Sequence, residues 1–313
     1  MTAYILRRLL ATIPVMAFVA LFVFLLLHLT PGDPAAVIAG DEASPLAVAA
    51  IRQKLGLDRP IWEQFGIYVG NLLRGDLGTS IFSNLPVLTL VKQRLEPTVV
   101  LAVSTLIVAV LFAVPMGVLA AWKARTAADR IIMGFSVLGF AVPVFLIGYV
   151  LIYLFAIKLH WFPVQGYKPI SEGLAAAARS IVLPAFALGM VYMALIARIT
   201  RASMMEVLSQ DYIRTARAKG ASNTAVLLKH ALKNAAVPIV TVIGIGLALL
   251  ISGVVITETV FNIPGLGRLT VDAILKRDYP IIQGLIILFA GVKVIVNLLV
   301  DISYAFFDPR IRY

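Results

Sequence analysis

The residues best placed to do chemistry are few and thinly spread. Lys293, Asn297 and Asp301 recur at i, i+4 and i+8, so on a helix they form one polar stripe. The stretch around them is otherwise apolar, and a lysine there has to face protein or a water-filled path. An interface with a second membrane chain is the preferred reading, and the lining of a solute pathway is the other. The three histidines, His28, His160 and His230, fall in separated segments, and there is no cysteine, so no metal-ligand cluster is visible. No Gly-Lys dipeptide occurs, which removes the phosphate-cradling loop of a P-loop ATPase; HExxH and GxSxG are missing too. Asn262 to Gly267 (NIPGLG) has the glycines of a tight turn but lacks the third glycine of a dinucleotide motif. No catalytic or metal-binding residue is expected, and the chain is read as a non-enzyme that binds no cofactor of its own.

The most informative polar segment runs from Arg198 to Asn234. It carries Arg198, Arg201, Arg214, Arg217, Lys219, Lys229 and Lys233 against Glu206 and Asp211. That is too polar for a bilayer, yet rich in helix formers. Ser209 or Asp211 is expected to cap a short helix running from Tyr212 to Lys219, with Gly220 at the left-handed position after it. Ser222 then caps a second helix leading through His230 and Lys233 into the next apolar block. A short cationic helix with a small face at Ala216 suits a groove on a partner.

What must position these residues is a set of apolar blocks. A hydrocarbon core needs about 20 apolar residues per helix. Six stretches qualify: 9–29, 98–122, 131–157, 181–197, 235–257 and 281–300, of which 181–197 is the shortest. Each is continuously apolar rather than alternating, so helices and not barrel strands are expected. The first block exceeds the apolar length of a signal peptide and lacks a cleavage pattern, and so reads as an uncleaved helix. Hydrophobic residues make up 61% of the chain and charged ones 14%, which excludes a soluble domain of this size.

With both termini cytoplasmic, the inner segments hold fourteen basic residues against five acids, while the outer ones nearly balance. The net charge of +11 therefore reports topology. Nucleic acid is not indicated, because no aromatics interleave the basic residues. Segment 30–97 is external and helical. Ser44 and Pro45 sit where a helix starts and Gly56 where it stops, and Ile61 to Arg74 is amphipathic, with Ile61, Phe65, Tyr68, Val69 and Leu72 largely on one side.

Thr215-Ala216-Arg217, two residues, Gly220, nine residues and His230-Ala231-Leu232 resemble the EAA loop of ABC importer permeases. Ala216, Gly220 and Leu232 match literally; Thr215, Arg217, His230 and Lys233 depart from the pattern. Further segments resemble the B-type permease subunits of dipeptide, oligopeptide, nickel and glutathione importers along nearly the whole chain. They are Leu29 to Pro34 (LTPGDP), Leu55 to Pro60 (LGLDRP), Leu72 to Gly78 (LLRGDLG), Asp211 to Gly220 (DYIRTARAKG), Glu258 to Arg268 (ETVFNIPGLGR), Arg277 to Pro280 (RDYP) and the tail Asp308 to Tyr313 (DPRIRY).

The resemblance implies an all-α polytopic protein of the type I ABC importer permease (MetI-like) fold, with six transmembrane helices in one domain, 1–313. It implies a bacterial inner-membrane subunit forming half of a pathway for peptides, di- or oligopeptide or glutathione. A nickel-chelate importer permease is the alternative, and a proton-coupled carrier a more distant one. The implied partners are a C-type permease in a heterodimer, two cytoplasmic ATPase subunits that carry the ATP and Mg, an extracytoplasmic solute-binding protein and the lipid bilayer. Segment 198–234 becomes the coupling loop, with Asp211, Tyr212, Arg214, Thr215, Ala216, Arg217, Lys219, Gly220, His230 and Leu232 as its contacts with the ATPases.

Overall fold

The computed structural model describes residues 2–29, 33–40, 43–54 and 56–307. Among them there is no strand, only an isolated bridge between Thr79 and Pro86. The helices are α1 (Thr2–Leu29), α2 (Pro34–Ala39), α3 (Pro45–Lys54), α4 (Ile61–Leu73), α5 (Val87–Trp122), α6 (Ala127–Ala141), α7 (Val144–Leu151), α8 (Leu174–Leu208), α9 (Asp211–Ala218), α10 (Ala236–Val260), α11 (Leu266–Lys276) and α12 (Tyr279–Phe307). Two π-helical runs, Ile152–Lys158 and Ala225–Leu232, continue α7 and precede α10. The tail motif from Asp308 and most of the motif after Leu29 lie outside the described residues.

Four helices are long and apolar enough to cross a membrane unaided, and the count reaches six if each of two bent pairs is one span. The first pair, α6 with α7 and its π-helical extension, bends by 106°. The cause is local: Pro143 forces Val142 into an extended conformation, φ −91° and ψ 126°, and the helix cannot continue through it. The second pair, Ala225–Leu232 and the first half of α10, bends by 71°. The smooth passage through Lys233 expected from the sequence is thus replaced by a turn.

The chain divides into two compact units, one made of Leu95–Arg268 and the stretch from Ile295, the other of Thr2–Arg94 and Leu269–Val294. In the first, α8 is the hub: 72% of its apolar window is buried, against 22% for α5. In lipid, burial brings no hydrophobic gain, so helices associate through close packing. α8 supplies small residues for this, with Ala185, Ala187, Gly189, Ala194 and Ala197 all buried. α5 meets it at Gly117, where a Cβ would lie 2.7 Å from the Ala197 carbonyl oxygen. Leu188, Tyr192 and Ile196 of α8, Leu101 of α5 and Leu250 of α10 belong to the same apolar cluster.

The second unit is built from caps and polar ties. Asp33 accepts a hydrogen bond from the Ala35 amide to start α2, and its other oxygen pairs with Arg52 of α3 at 2.5 Å. Ser44 Oγ accepts from the Ala47 amide and Pro45 opens α3, as expected. α4 ends at Leu73, with Gly75 in the left-handed region after it. Asp278, buried, accepts from the Ser80 hydroxyl at 2.6 Å and from the Ile81 amide at 3.4 Å, which joins the stretch after LLRGDLG to RDYP.

Candidate functional site

α8 ends where Ser209 Oγ donates back to the Glu206 carbonyl at 2.7 Å. That use of Ser209 corrects the expected cap: Gln210 occupies the N-cap of α9 and makes no side-chain bond there, while Asp211 pairs with Arg214 at 3.4 Å. α9 presents Tyr212, Arg214, Thr215 and Arg217 as exposed side chains, with Ala216 half-buried. Its single buried residue is Ile213, at 0% exposure. Ile213 packs in a cluster with Met204 of α8, Ala121 of α5, Val226, Leu227 and Ala231 of the π-helical run, and Ile239 of α10. One apolar peg thus joins α9 to the ends of three helices.

The far end of α9 closes as the sequence indicates. Gly220 has φ +84°, a conformation that costs glycine nothing, and the Ala221 amide reaches the Ala216 carbonyl at 3.1 Å. Ser222 Oγ accepts from the Ala225 amide at 3.3 Å, the expected second cap. Asn234 Nδ2 donates both to Tyr212 Oη (2.9 Å) and to the His230 carbonyl (2.8 Å), so the two arms of the elbow are tied across its base. His230 and Leu232 are half-buried on the inner arm, while Lys219 is exposed beside Gly220.

A second tie lies beside it. Arg201 of α8 forks onto Asp129 of α6, Nε to Oδ1 at 2.6 Å and Nη2 to Oδ2 at 2.7 Å; the Arg125 amide adds a bond to Oδ2 at 2.9 Å. The Asp129 side chain is 6% exposed. The Arg201 hydrogen bonds hold the Asp129 carboxyl below the usual carboxylate range against the opposing effect of burial, and they raise the guanidinium in turn.

Residues 113–313 match the family described as the binding-protein-dependent transport system inner membrane component, and residues 1–102 match the N-terminal part of such membrane components. The chain belongs to this family. It is 58% identical over 313 residues, the whole of both chains, to the probable peptide ABC transporter permease protein y4tP of Sinorhizobium fredii. It is 44% identical over 314 residues, again 100% of each, to the glutathione transport system permease protein GsiC of Escherichia coli K12. A solved structure titled as inward-facing conformations of the MetNI methionine ABC transporter superposes on 71% of this chain and 97% of its own, with a TM-score of 0.59 and 16% identity, and so shares the fold. The chain is accordingly a multi-pass inner-membrane transport subunit, an ABC importer permease.

A third constellation in this permease was visible in the sequence only as part of a motif. Glu258, at the end of α10, is fully buried. Oε1 accepts from the Thr98 hydroxyl at 2.5 Å, Oε2 from the Arg268 amide at 2.9 Å, and its carbonyl from the Ile263 amide at 2.8 Å. Thr98 Oγ1 in turn accepts from the Leu266 amide at 2.8 Å. Gly265 lies flat against the carboxylate, where any Cβ would collide with both oxygens. The NIPGLG stretch is therefore a turn wrapped round an acid. Nearby, Gly166 donates to the Phe261 carbonyl at 2.8 Å, and Glu96 accepts from Tyr167 Oη and the Ile170 amide, each at 2.9 Å. Those two bonds, the amide first, lower the Glu96 carboxyl; burial, then Glu96, raises the Tyr167 phenol.

The polar stripe falls on α12 as the spacing requires, with Lys293 and Asn297 exposed and Asp301 half-buried. Among the described residues no group of three or more acids, histidines or cysteines gathers to hold a metal ion. Ile213 escaped the sequence reading although it is the one large aliphatic residue in DYIRTARAKG. Asp129 and Arg201 border neighbouring apolar blocks, and in the sequence they are two separate charges 72 residues apart.

Proposed function

We propose that this permease imports peptides, pairing with a C-type permease, two ATPase subunits that bind ATP and Mg, and an extracytoplasmic solute-binding protein. α9 faces the cytosol and is the coupling helix. Both termini lie on the same side, and Lys293 with Asn297 and Asp301 faces the partner permease. The relatives' names support the peptide class: one is a probable peptide permease, the other a glutathione permease, and glutathione is a tripeptide.

The observation that carries the coupling role is the make-up of α9. A helix with one buried side chain and a polar remainder cannot be there to build the core; its exposed residues are free to meet a groove on an ATPase. Closure of the ATPase pair around ATP then displaces α9, and the Ile213 peg passes the displacement to α5, α8 and α10 together. The Asp129–Arg201 fork extends it to α6, the first half of the bent span. The outcome is a shift between inward- and outward-open states, driven by differential binding of the ATPases.

Because the chain has no cysteine, Ala216→Cys gives a unique thiol. It is expected to cross-link to an ATPase subunit in the assembled transporter and to resist impermeant thiol reagents in intact cells. Labelling from outside would invert the topology and defeat the proposal. Uptake of peptide into vesicles is expected to require ATP and the binding protein; uptake driven by a pH gradient alone would point to a carrier.

A further inference from the structure

The unit that contains α1 to α4 holds a cavity of about 360 Å³ that the transport reading does not use. Its apolar wall is Phe24 and Leu27, in the last turns of α1, and its polar wall includes Arg59, Tyr68, Asn71 and Gln283. Among the described residues that line it there is no acid and Arg59 is the one formal charge, paired through Nη1 with Glu63 at 3.0 Å. Several of these groups are locked in place. Gln64 donates through Nε2 to the Arg59 carbonyl at 2.8 Å and faces His28 through Oε1 at 3.2 Å, and Gln283 donates to the Val23 carbonyl at 3.1 Å. Phe24 packs on Phe65 and Tyr68 with ring centroids 5.2 and 5.7 Å away. Tyr68 Oη is buried and makes no hydrogen bond to any described residue, and burial pushes its phenol up to about 12, so it stays a neutral donor. A buried hydroxyl without a partner is costly, and one that shares a cavity with a guanidinium asks for a ligand rich in acceptors.

We propose that this cavity holds the headgroup of a glycerophospholipid from the leaflet that meets the Leu27 end of α1. The phosphate diester lies against Arg59 and the Tyr68 hydroxyl, the glycerol ester among the Asn71 and Gln283 carboxamides, and an acyl chain along Phe24 and Leu27. The volume is near the lower end of the usual range for small-molecule sites, about 300–1,000 Å³, enough for a headgroup and not for whole acyl chains. Those chains have a place to run, because only 11% of the α1 apolar window is buried and hydrocarbon is its ordinary neighbour. Trp62, 76% exposed on α4, is the kind of aromatic that sits at headgroup depth. The Glu63 carboxylate, 3.0 Å from Arg59 Nη1, adds a place for an ammonium next to the phosphate, which favours phosphatidylethanolamine. This site stands apart from the peptide reading and would survive its failure.

The test uses the whole transporter extracted from membranes. Native mass spectrometry after stepwise detergent exchange is expected to find one phospholipid retained per copy of this chain. Tyr68→Phe, which removes only the hydroxyl, and Arg59→Ala are each expected to lower that retention about fivefold, the consequence of losing one hydrogen bond. In the unaltered protein, phosphatidylethanolamine with a photoreactive headgroup is expected to label α4. Equal retention in wild type and both variants overturns the proposal, as does labelling that misses α4. Label displaced by excess dipeptide would make the cavity a solute site instead and would equally overturn it.

Discussion

The turn after α10 and the elbow around α9 lie 47 residues apart, Glu258 against Asp211, and solve opposite problems. Around Glu258 an acidic side chain is wholly buried and both carboxyl oxygens are engaged, one by a hydroxyl and one by a backbone amide. Around α9 the charged side chains are exposed and a single aliphatic residue is buried. The first arrangement leaves the backbone no alternative, since any displacement strands a desolvated acid group without its hydrogen bonds. The second can be pulled as a body, because its hold on the core is one apolar contact cluster and a single side-chain hydrogen bond, from Asn234 to Tyr212.

The largest effect is expected at the rigid site. Glu258→Ala leaves the Arg268 amide and the Thr98 hydroxyl without their acceptor and opens a cavity; at about 1–3 kcal/mol for each buried unmet group, the loss should reach about 3 kcal/mol or more. A thermal melt of the detergent-purified complex should show a large drop or no assembled complex at all. A near-native melt would mean the carboxylate is not the centre of the turn. Ile213→Ala comes next, at about 2–4 kcal/mol, the usual range for truncating a buried aliphatic. Here the complex should assemble, with transport per ATP hydrolysed falling several-fold, since the peg and not the groove contact has been lost. Tight coupling in Ile213→Ala would remove the peg from the mechanism.

The two sites also differ in how far the sequence revealed them. The elbow was legible down to its left-handed Gly220 and its Ser222 cap, because both are local devices read from residue type and spacing. Its buried peg was passed over, since one isoleucine in eight residues sets up no periodicity. The apolar blocks announced helices by length alone, and Pro143 carried enough information to place the bend in the third block, although a bend of 106° depends on packing. The Glu258 knot was beyond such reading. An acid at the end of a span is ordinarily taken as solvated, and its partner Thr98 is 160 residues away. Asp129 and Arg201 were hidden for the same reason, being 72 residues apart and each plausible as a lone interfacial charge.

Asp129→Asn should act less strongly, because asparagine keeps one acceptor and Arg201 is partly open to solvent; about 2 kcal/mol is expected. The pH dependence gives a sharper check. The Asp129 carboxyl is lowered in the folded protein, so its contribution is fully present above the ordinary aspartate value near about 3.9 and is lost as pH falls through the lowered one. The stability of the wild type should therefore be flat in this term between about pH 5 and 8, and the acid-side loss should be smaller in Asp129→Asn. A variant with an unchanged acid slope would show that the fork contributes nothing. Exchanging the two residues, Asp129→Arg with Arg201→Asp, should restore part of the melt if the fork acts as a pair.

The smallest effect on stability belongs to Arg214→Ala. Its partner Asp211 lies at 3.4 Å, with side-chain exposures of 78% and 94%, and ion pairs so open contribute about 0–1 kcal/mol. The melt should not move measurably. On the proposed coupling role, in which Arg214 is one of the exposed cations of α9 that meet an ATPase, coupling should fall, and the difference from wild type should be largest at low ionic strength and shrink as salt screens the contact in both. Ile213→Ala and Arg214→Ala then separate the two faces of one short helix: the first loosens it from the permease, the second from its partner. If Arg214→Ala leaves both the melt and ATP-driven transport untouched at every salt concentration, the exposed face of α9 is a solvated surface, and the elbow meets its partner elsewhere.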